Sequence, residues 1–258
     1  MLFDSHMHTR FSADSEMKAK DAVEKAASEG IGIVFTEHLD YDFPSEADFT
    51  FDPEAYWKEY EPIRSHTLRL GVEVGMRAST EKRSRAFIAR VPFDLIIGSL
   101  HILGGRDLYD AEAYEGKERA DVYHQYLAKM EAGIRSHDFI NVLGHIDYIA
   151  RYAPYENPDL TYGEFRPEID QVLRAVIQTG IVLELNTRRL GDRHAIKEPV
   201  PIYQRYYDLG GRYVTFGADA HRAMDVGKYF REAEEIADQT NLQIVTYVER
   251  RMERCWRP

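Results

Sequence analysis

Short, continuous apolar runs alternate with longer stretches of helical periodicity along the whole chain. The runs cover residues 2–3, 31–35, 70–74, 93–100, 140–143, 181–185 and 213–216. Apolarity that is continuous rather than alternating marks strands covered on both faces, as in a parallel sheet. The periodicity between them predicts helices over 18–28, 53–66, 79–90, 117–137, 162–179, 199–209 and 226–239. Gly30, Gly180 and Gly210-Gly211 fall where such helices should stop, directly before the next strand. A weaker apolar run at 242–248 follows the last helix. Seven strand-then-helix units require crossover connections, and their number fits an α/β barrel of seven or eight strands better than an open sheet. No repeat, low-complexity tract or Pro/Ser-rich linker interrupts the series, so one domain over residues 1–258 is expected.

Composition narrows the class further. With 44% hydrophobic and 30% charged side chains in 258 residues, the chain can close a substantial core, and disorder, collagen and coiled coil are excluded. Its 44 acidic and 33 basic residues give a net charge of -11. Nucleic acid is therefore not an expected partner, because binding it rests on neutralising phosphates with Lys and Arg. No stretch approaches the roughly 20 apolar residues needed to span a bilayer, so no membrane association is expected. The opening Met1-Leu2-Phe3-Asp4-Ser5-His6 lacks the basic and apolar regions of a secretory signal. Cys255, the single cysteine, cannot make an internal disulfide, and a cytoplasmic location is expected.

Ten histidines are the unusual feature, and their positions carry the chemistry. His6-Met7-His8 follows the first expected strand and Glu37-His38 the second; Glu73 lies on the third and His101 ends the fourth. Gly144-His145-Ile146-Asp147 follows the fifth, Asn186 ends the sixth, and Asp219-Ala220-His221 follows the seventh. In a parallel barrel those ends share one face, where active sites are built. Imidazole nitrogen with carboxylate oxygen suits zinc, manganese or iron. A carboxylate such as Glu73 can bridge two metals, and a pair about 3.5–4 Å apart can hold a hydroxide and clamp phosphoryl oxygens. Each residue alone has a plainer reading: a lone buried histidine is usually a satisfied core group, and Asp219 would serve as a helix cap. The joint pattern points to metal. His66, His124 and His137 fall within or at the ends of helical segments and are expected on the surface, while His194, in the loop after the sixth strand, stays open.

These motifs resemble, in order, those of the polymerase-and-histidinol-phosphatase (PHP) superfamily. Asp4-Ser5-His6-Met7-His8-Thr9, Phe11-Ser12-Ala13-Asp14-Ser15 and Thr36-Glu37-His38 are similar to its opening. Gly71-Val72-Glu73-Val74-Gly75, the segment ending Gly98-Ser99-Leu100-His101, Gly144-His145-Ile146-Asp147-Tyr148, Glu184-Leu185-Asn186-Thr187 and Gly217-Ala218-Asp219-Ala220-His221 complete the set. The resemblance covers nearly the whole chain and favours the histidinol-phosphate phosphatase branch. It implies an α/β fold, a distorted (β/α)7 TIM-like barrel, with two or three divalent metals (Zn, Mn or Fe). His6, His8, Glu73 and Asp219 would hold one metal, Asp14, His38 and His221 a second, and Glu73, His101 and His145 a third, with Glu73 bridging. Two departures are visible: the usual Thr-Asp-His is Thr36-Glu37-His38 here, and the arginines after Asn186-Thr187 stand in a changed register.

The implied activity is hydrolysis of L-histidinol phosphate to L-histidinol and phosphate by a metal-bridging hydroxide, with Glu73 and Asp219 positioning it. The expected partner is a small phosphomonoester, gripped by Arg151 and by an arginine of the 188–193 loop, with Arg189 favoured and Arg193 within reach. Arg151 would otherwise pair with a surface carboxylate. No Ser or Cys sits in a nucleophile elbow, which disfavours a covalent phosphoenzyme. Another small phosphoester or a nucleotide is the alternative substrate; a non-catalytic metal-binding regulator would not be expected to keep a complete ligand set.

Overall fold

The computed structural model describes residues 1–191 and 197–256. Seven parallel strands close a barrel: β1 (Phe3–Asp4), β2 (Gly32–Leu39), β3 (Leu68–Gly75), β4 (Leu95–Ser99), β7 (Val142–Leu143), β8 (Val182–Asn186) and β9 (Tyr213–Gly217), with β9 returning to β1 through Asp4 opposite Phe216. Between β4 and β7 lies a small hairpin of β5 (Ile102–Leu103) and β6 (Arg106–Asp107), which two-residue strands left without a pattern to read.

The distortion sits at the seam. The first part of β9 pairs not with β1 but with β10 (Gln243–Val248), through Tyr213 opposite Gln243 and Val214 opposite Ile244. β10 then turns back antiparallel into β11 (Arg251–Arg254), a strand exposed along its length. The turn residues Glu249 and Arg250 both have positive φ, a conformation normally given to Asn or Gly. Asp94 offsets that cost: its side chain accepts from Glu249 N (2.9 Å) and its carbonyl from Arg250 N (2.8 Å).

Helices cover the outside at Ala19–Glu29, Pro53–Tyr60, Glu81–Ile88, Arg119–Ser136, Arg166–Thr179, Val200–Asp208 and Phe230–Gln239. Gly30 and Gly180 end their helices in the left-handed conformation, as the sequence required. Three helices are shorter than expected, each for a local reason. Pro62 leaves only a single 3-10 turn after Tyr60. The helix ending at Thr179 begins at Arg166 with a proline in its first turn. Tyr229, with φ of 61°, separates the last helix from residues 226–228. Among the described residues no helix is long and apolar enough to cross a membrane.

The large apolar core lies between strands and helices, while Phe3, Val34, Leu95, Ile97, Val142, Val182, Val245 and Tyr247 form a second cluster. Side chains on a strand alternate faces, and these residues share the inward phase, so they plug the lower half of the barrel. Buried Arg69 joins them, donating to Tyr247 O (2.9 Å), pairing with Glu253 (2.6 Å) and lying over the Phe3 ring. The upper half, in the same inward phase, is polar. His137 departs from expectation: it is fully buried, with Nδ1 2.9 Å from Gly133 O and its ring edge-on to Phe139. Burial at that helix end comes from tertiary packing that helical periodicity does not report. His66 and His124 are exposed as expected, and Arg193 and His194 lie outside the described residues.

Candidate metal centre

Two-residue periodicity carries donors to the rim. The inward phase that places Val34 in the plug leads through Thr36 to His38 on β2, and that of Ile97 leads through Ser99 on β4 to His101 just beyond it. Glu73 on β3 occupies the middle. Its Oε1 lies 3.2 Å from His6 Nε2, 3.3 Å from His101 Nε2 and 2.9 Å from His145 Nε2. Its Oε2 lies 3.0 Å from His38 Nδ1 and 3.5 Å from His8 Nε2. Asp219 Oδ1 is 3.3 Å from His8 Nε2 and 3.8 Å from His6 Nε2. Asp14 Oδ2 approaches His221 Nε2 (3.1 Å) and His38 Nε2 (3.5 Å) from the exposed edge.

All nine expected donors therefore meet in one patch. Eight of them form overlapping triads whose ligand atoms lie within 4.8 Å of one another: His8, His38 and His221; His6, His145 and Asp219; His6, His8 and Glu73; His38, Glu73 and His101. Asp14 joins through His221 and His38.

Whether these groups suit a cation is decided by their unused lone pairs. His6 Nε2, His8 Nε2, His38 Nδ1 and Glu73 Oε2 are buried and have no hydrogen-bond partner in the protein. One such atom costs about 1–3 kcal/mol, and native interiors rarely tolerate it. Four facing one another, with nitrogen and oxygen lone pairs only, fit divalent metal. Without metal, protons play that part. Burial opposes a charge on His6 and His38, but Glu73 together with Glu184 and Asp219 at His6, and with Asp14 and Asp40 at His38, outweighs it and lifts both well above the imidazole range. Burial alone would raise Glu73, yet His6, His101 and His38 hold it well below the carboxylate range.

The other ring nitrogens of His6, His101 and His8 are fixed by residues that sequence reasoning gave no role. Glu184 accepts from His145 N (2.6 Å) and faces His6 Nδ1 at 2.7 Å. Asp40 holds His101 Nδ1 at 3.1 Å from both of its oxygens. Ser12 lies 3.1 Å from His8 Nδ1 and donates to Glu37, which also accepts from the backbone and hydroxyl of Thr9. Such outer contacts set ring orientation and tautomer in metal sites. Both missed carboxylates left a signal: Glu184 interrupts a wholly apolar strand, and Asp40 shares its strand face with His38. Glycines make room for them. A Cβ on Gly217 would lie 2.1 Å from Glu184 Oε1, and one on Gly75 1.9 Å from Asp40 Oδ1. Asp219 itself has φ of 52°, a left-handed conformation uncommon outside glycine and concentrated at functional sites.

A cleft of about 540 Å³ opens over the patch, and Arg151 and Arg188 both line it. Arg151 is buried; it pairs with Asp219 and donates to Asn186 Oδ1 (2.9 Å), so its carboxylate partner is a rim donor and not a surface group. Arg188 donates to Asp219 O (2.9 Å) and lies 3.6 Å from Asp219 Oδ2. Arg189, the favoured loop arginine, points elsewhere. It pairs with Asp147 (3.1 Å) and Asp159 beneath the loop, because consecutive residues in this turn face opposite ways.

Residues 4–188 match the PHP domain family. The chain is 39% identical over 252 residues to "Probable histidinol-phosphatase" of Clostridium acetobutylicum, covering 98% of this chain and 99% of that one. It is 32% identical over 227 residues to the histidinol-phosphatase of Lactococcus lactis subsp. lactis, covering 85% and 84%. Among solved structures it resembles histidinol phosphate phosphatase from Lactococcus lactis subsp. lactis Il1403 complexed with zinc, L-histidinol and phosphate, with a TM-score of 0.93 and 28% identity over 98% of this chain and 99% of the other. A domain match over most of the barrel and relatives aligned from end to end lead to one assignment: this chain belongs to the PHP domain family.

Proposed function

We propose that this chain hydrolyses L-histidinol phosphate to L-histidinol and phosphate, using divalent metals held at the barrel rim. The observation that carries this is the end-to-end likeness to the Lactococcus structure that holds zinc, L-histidinol and phosphate. Two to three ions are assigned. His6, His8, Glu73 and Asp219 would hold one, Asp14, His38 and His221 a second, and Glu73, His101 and His145 a third. Zinc, manganese or iron suits this donor set. Bound there, metal supplies Lewis acidity toward the phosphoryl oxygens and a water of lowered pKa as nucleophile.

The protein's own groups do the positioning. Glu184 and Asp40 keep His6 and His101 aimed inward. Arg151 and Arg188 offer planar guanidinium forks to the non-bridging phosphoryl oxygens, and preorganised cations of this kind act where transition-state charge develops. Arg151 Nε is buried and unpaired, a donor still available to a ligand. Tyr148 lies against Arg151, its ring centre 5.1 Å from the guanidinium carbon, which stiffens the longer side chain. Cys255 sits beside β10 at the other end of the barrel and donates its backbone N–H to Ile244 O, so it supplies no nucleophile here.

Phosphate release from L-histidinol phosphate, other phosphomonoesters and a dinucleotide tests the assignment. The expected preference for histidinol phosphate is about tenfold or more. A chelator should abolish it, and manganese or zinc restore it. Equal rates on every ester, or release that survives complete metal removal, would overturn the reading.

A further inference from the structure

The cleft carries groups of both signs. Arg151 and Arg188, beside the metal-donor patch, suit a phosphate dianion. Asp107 and Asp110, which follow His101 in the chain, also line the cleft, together with Tyr109, Tyr152, Phe43 and Phe49. The rings of Tyr109 and Tyr152 meet at 5.0 Å, Tyr152 meets Tyr148 at 5.3 Å, and Tyr148 meets His101 at 4.9 Å. A continuous aromatic wall therefore runs from the rim to the two carboxylates.

Among the described residues no Lys or Arg forms an ion pair with Asp107 or Asp110: Arg106, the nearest in sequence, is engaged with Glu112 at 2.8 Å, and His101 is the basic group that Asp107 senses. Burial, with the like charge of Asp110 adding to it, raises the Asp107 carboxyl above its usual range. Two neighbouring carboxylates suit a cationic guest. The platform is also rigid. Leu108 is fully buried, its N–H bonds His101 O (2.9 Å), the Tyr114 hydroxyl bonds its carbonyl (2.7 Å), and the Asp107 carboxylate is oriented by Tyr109 N (2.9 Å). Deeper in the same cleft, His145 and Arg151 have side chains at least nine-tenths buried, yet His145 Nδ1 and Arg151 Nε have no hydrogen-bond partner. The cleft thus keeps bonding capacity for a polar guest beside its aromatic wall.

We propose that Asp107 and Asp110, at the end of the β5–β6 hairpin and just after it, bind the cationic end of the substrate while Tyr109 and Tyr152 form the wall its planar ring packs against, so that this segment selects phosphomonoesters bearing an amine. This rests on the phosphomonoesterase reading above and adds the residues that set its specificity. The ammonium of such a substrate donates charge-assisted hydrogen bonds to the paired carboxylates, and a flat heterocycle packs against the aromatic wall.

The test compares wild type with Asp107→Asn, Asp110→Asn and the double variant, all with metal content measured. The readout is kcat/KM for L-histidinol phosphate divided by that for p-nitrophenyl phosphate, whose leaving group carries no cation. Losing a charge-assisted hydrogen bond should lower that ratio by roughly 10- to 100-fold in the double variant, mainly through KM for histidinol phosphate. A ratio within about twofold of wild type overturns the inference, because the carboxylates then do not sense the amine. Parallel loss on both substrates overturns it too, since a folding or metal defect has no preference for a charged leaving group. A wild type that cleaves p-nitrophenyl phosphate but not histidinol phosphate fails the parent reading, and this one with it.

Discussion

Glu73 and Asp94 are buried carboxylates at opposite ends of neighbouring strands, and they are used in opposite ways. Asp94, at the floor, is closed by protein. It accepts from Arg64 Nε (2.9 Å) and Nη2 (2.6 Å), from Leu70 N (2.9 Å) and from Glu249 N (2.9 Å). Glu73, at the rim, has one hydroxyl on Oε1, imidazoles around it and no hydrogen bond at Oε2. Both are held below the carboxylate range against burial, Asp94 chiefly by Arg64 and Glu73 by histidines. Burial and charge therefore do not distinguish a structural carboxylate from a functional one. Unused bonding capacity does.

Exchanging the two roles is the strongest way to break this comparison. Glu73→Ala should reduce turnover by on the order of 10³ and lower bound metal, with little loss of folding stability. Asp94→Ala should do the reverse, costing roughly 3 kcal/mol in urea unfolding while metal content stays normal. A Glu73→Ala protein with full metal and a normal rate would remove the central role given to that residue.

The arginines sharpen it at a smaller scale. Arg188→Ala should lower turnover of a phosphomonoester by about 10²-fold at unchanged metal content, as loss of one preorganised donor does. Arg189→Ala, closed on Asp147 and Asp159, should change rate little. Steady-state kinetics on metal-replete protein separates them, and equal losses would mean that the loop acts as a unit.

Asp40 acts one step further from the cleft, through His101. Asp40→Asn should weaken metal binding by about 10- to 100-fold, the usual consequence of losing an outer carboxylate on a ligating histidine. It should also flatten a pH dependence. Burial opposes charge on His101, but Asp40 and Glu73 raise it from 6.5 to about 10. In metal-free protein that proton contributes stability fully below 6.5, and the contribution is lost as pH rises through 10. Metal must displace the proton, so affinity should climb across the same window. Titrations of metal-free protein at several pH values would show the slope, and an equal slope in Asp40→Asn would remove Asp40 from its cause.

Much of this was legible in the amino-acid order because the chemistry sits at strand ends, where apolar runs stop abruptly at His, Glu or Asp. Eight of the nine rim donors could be named for that reason; Asp14, in the loop after β1, was implied only by the family resemblance. The losses share a different cause. The β5–β6 hairpin is too short for periodicity, and β11, reading Arg-Met-Glu-Arg, has no buried face to mark it. Arg188 and Arg189 differ only in which side of a turn they face, and turn geometry is not written in residue type. Glu184 was visible as a residue, but its partner His6 lies 178 positions away, and only the closed barrel joins them.

That closure also orders events in time. β1 enters the sheet between β2 and β9, and Met7 bridges to Ala220, so the first two histidines meet Asp219 and His221 only across the seam. A ribosome must therefore release residue 219 before the rim can exist, since residue 6 waits for it. Until then the early histidines and carboxylates are exposed to any ion in the surrounding fluid. Correct loading is thus a late event in the life of each molecule, and metal retention reports whether both ends of the chain have found each other.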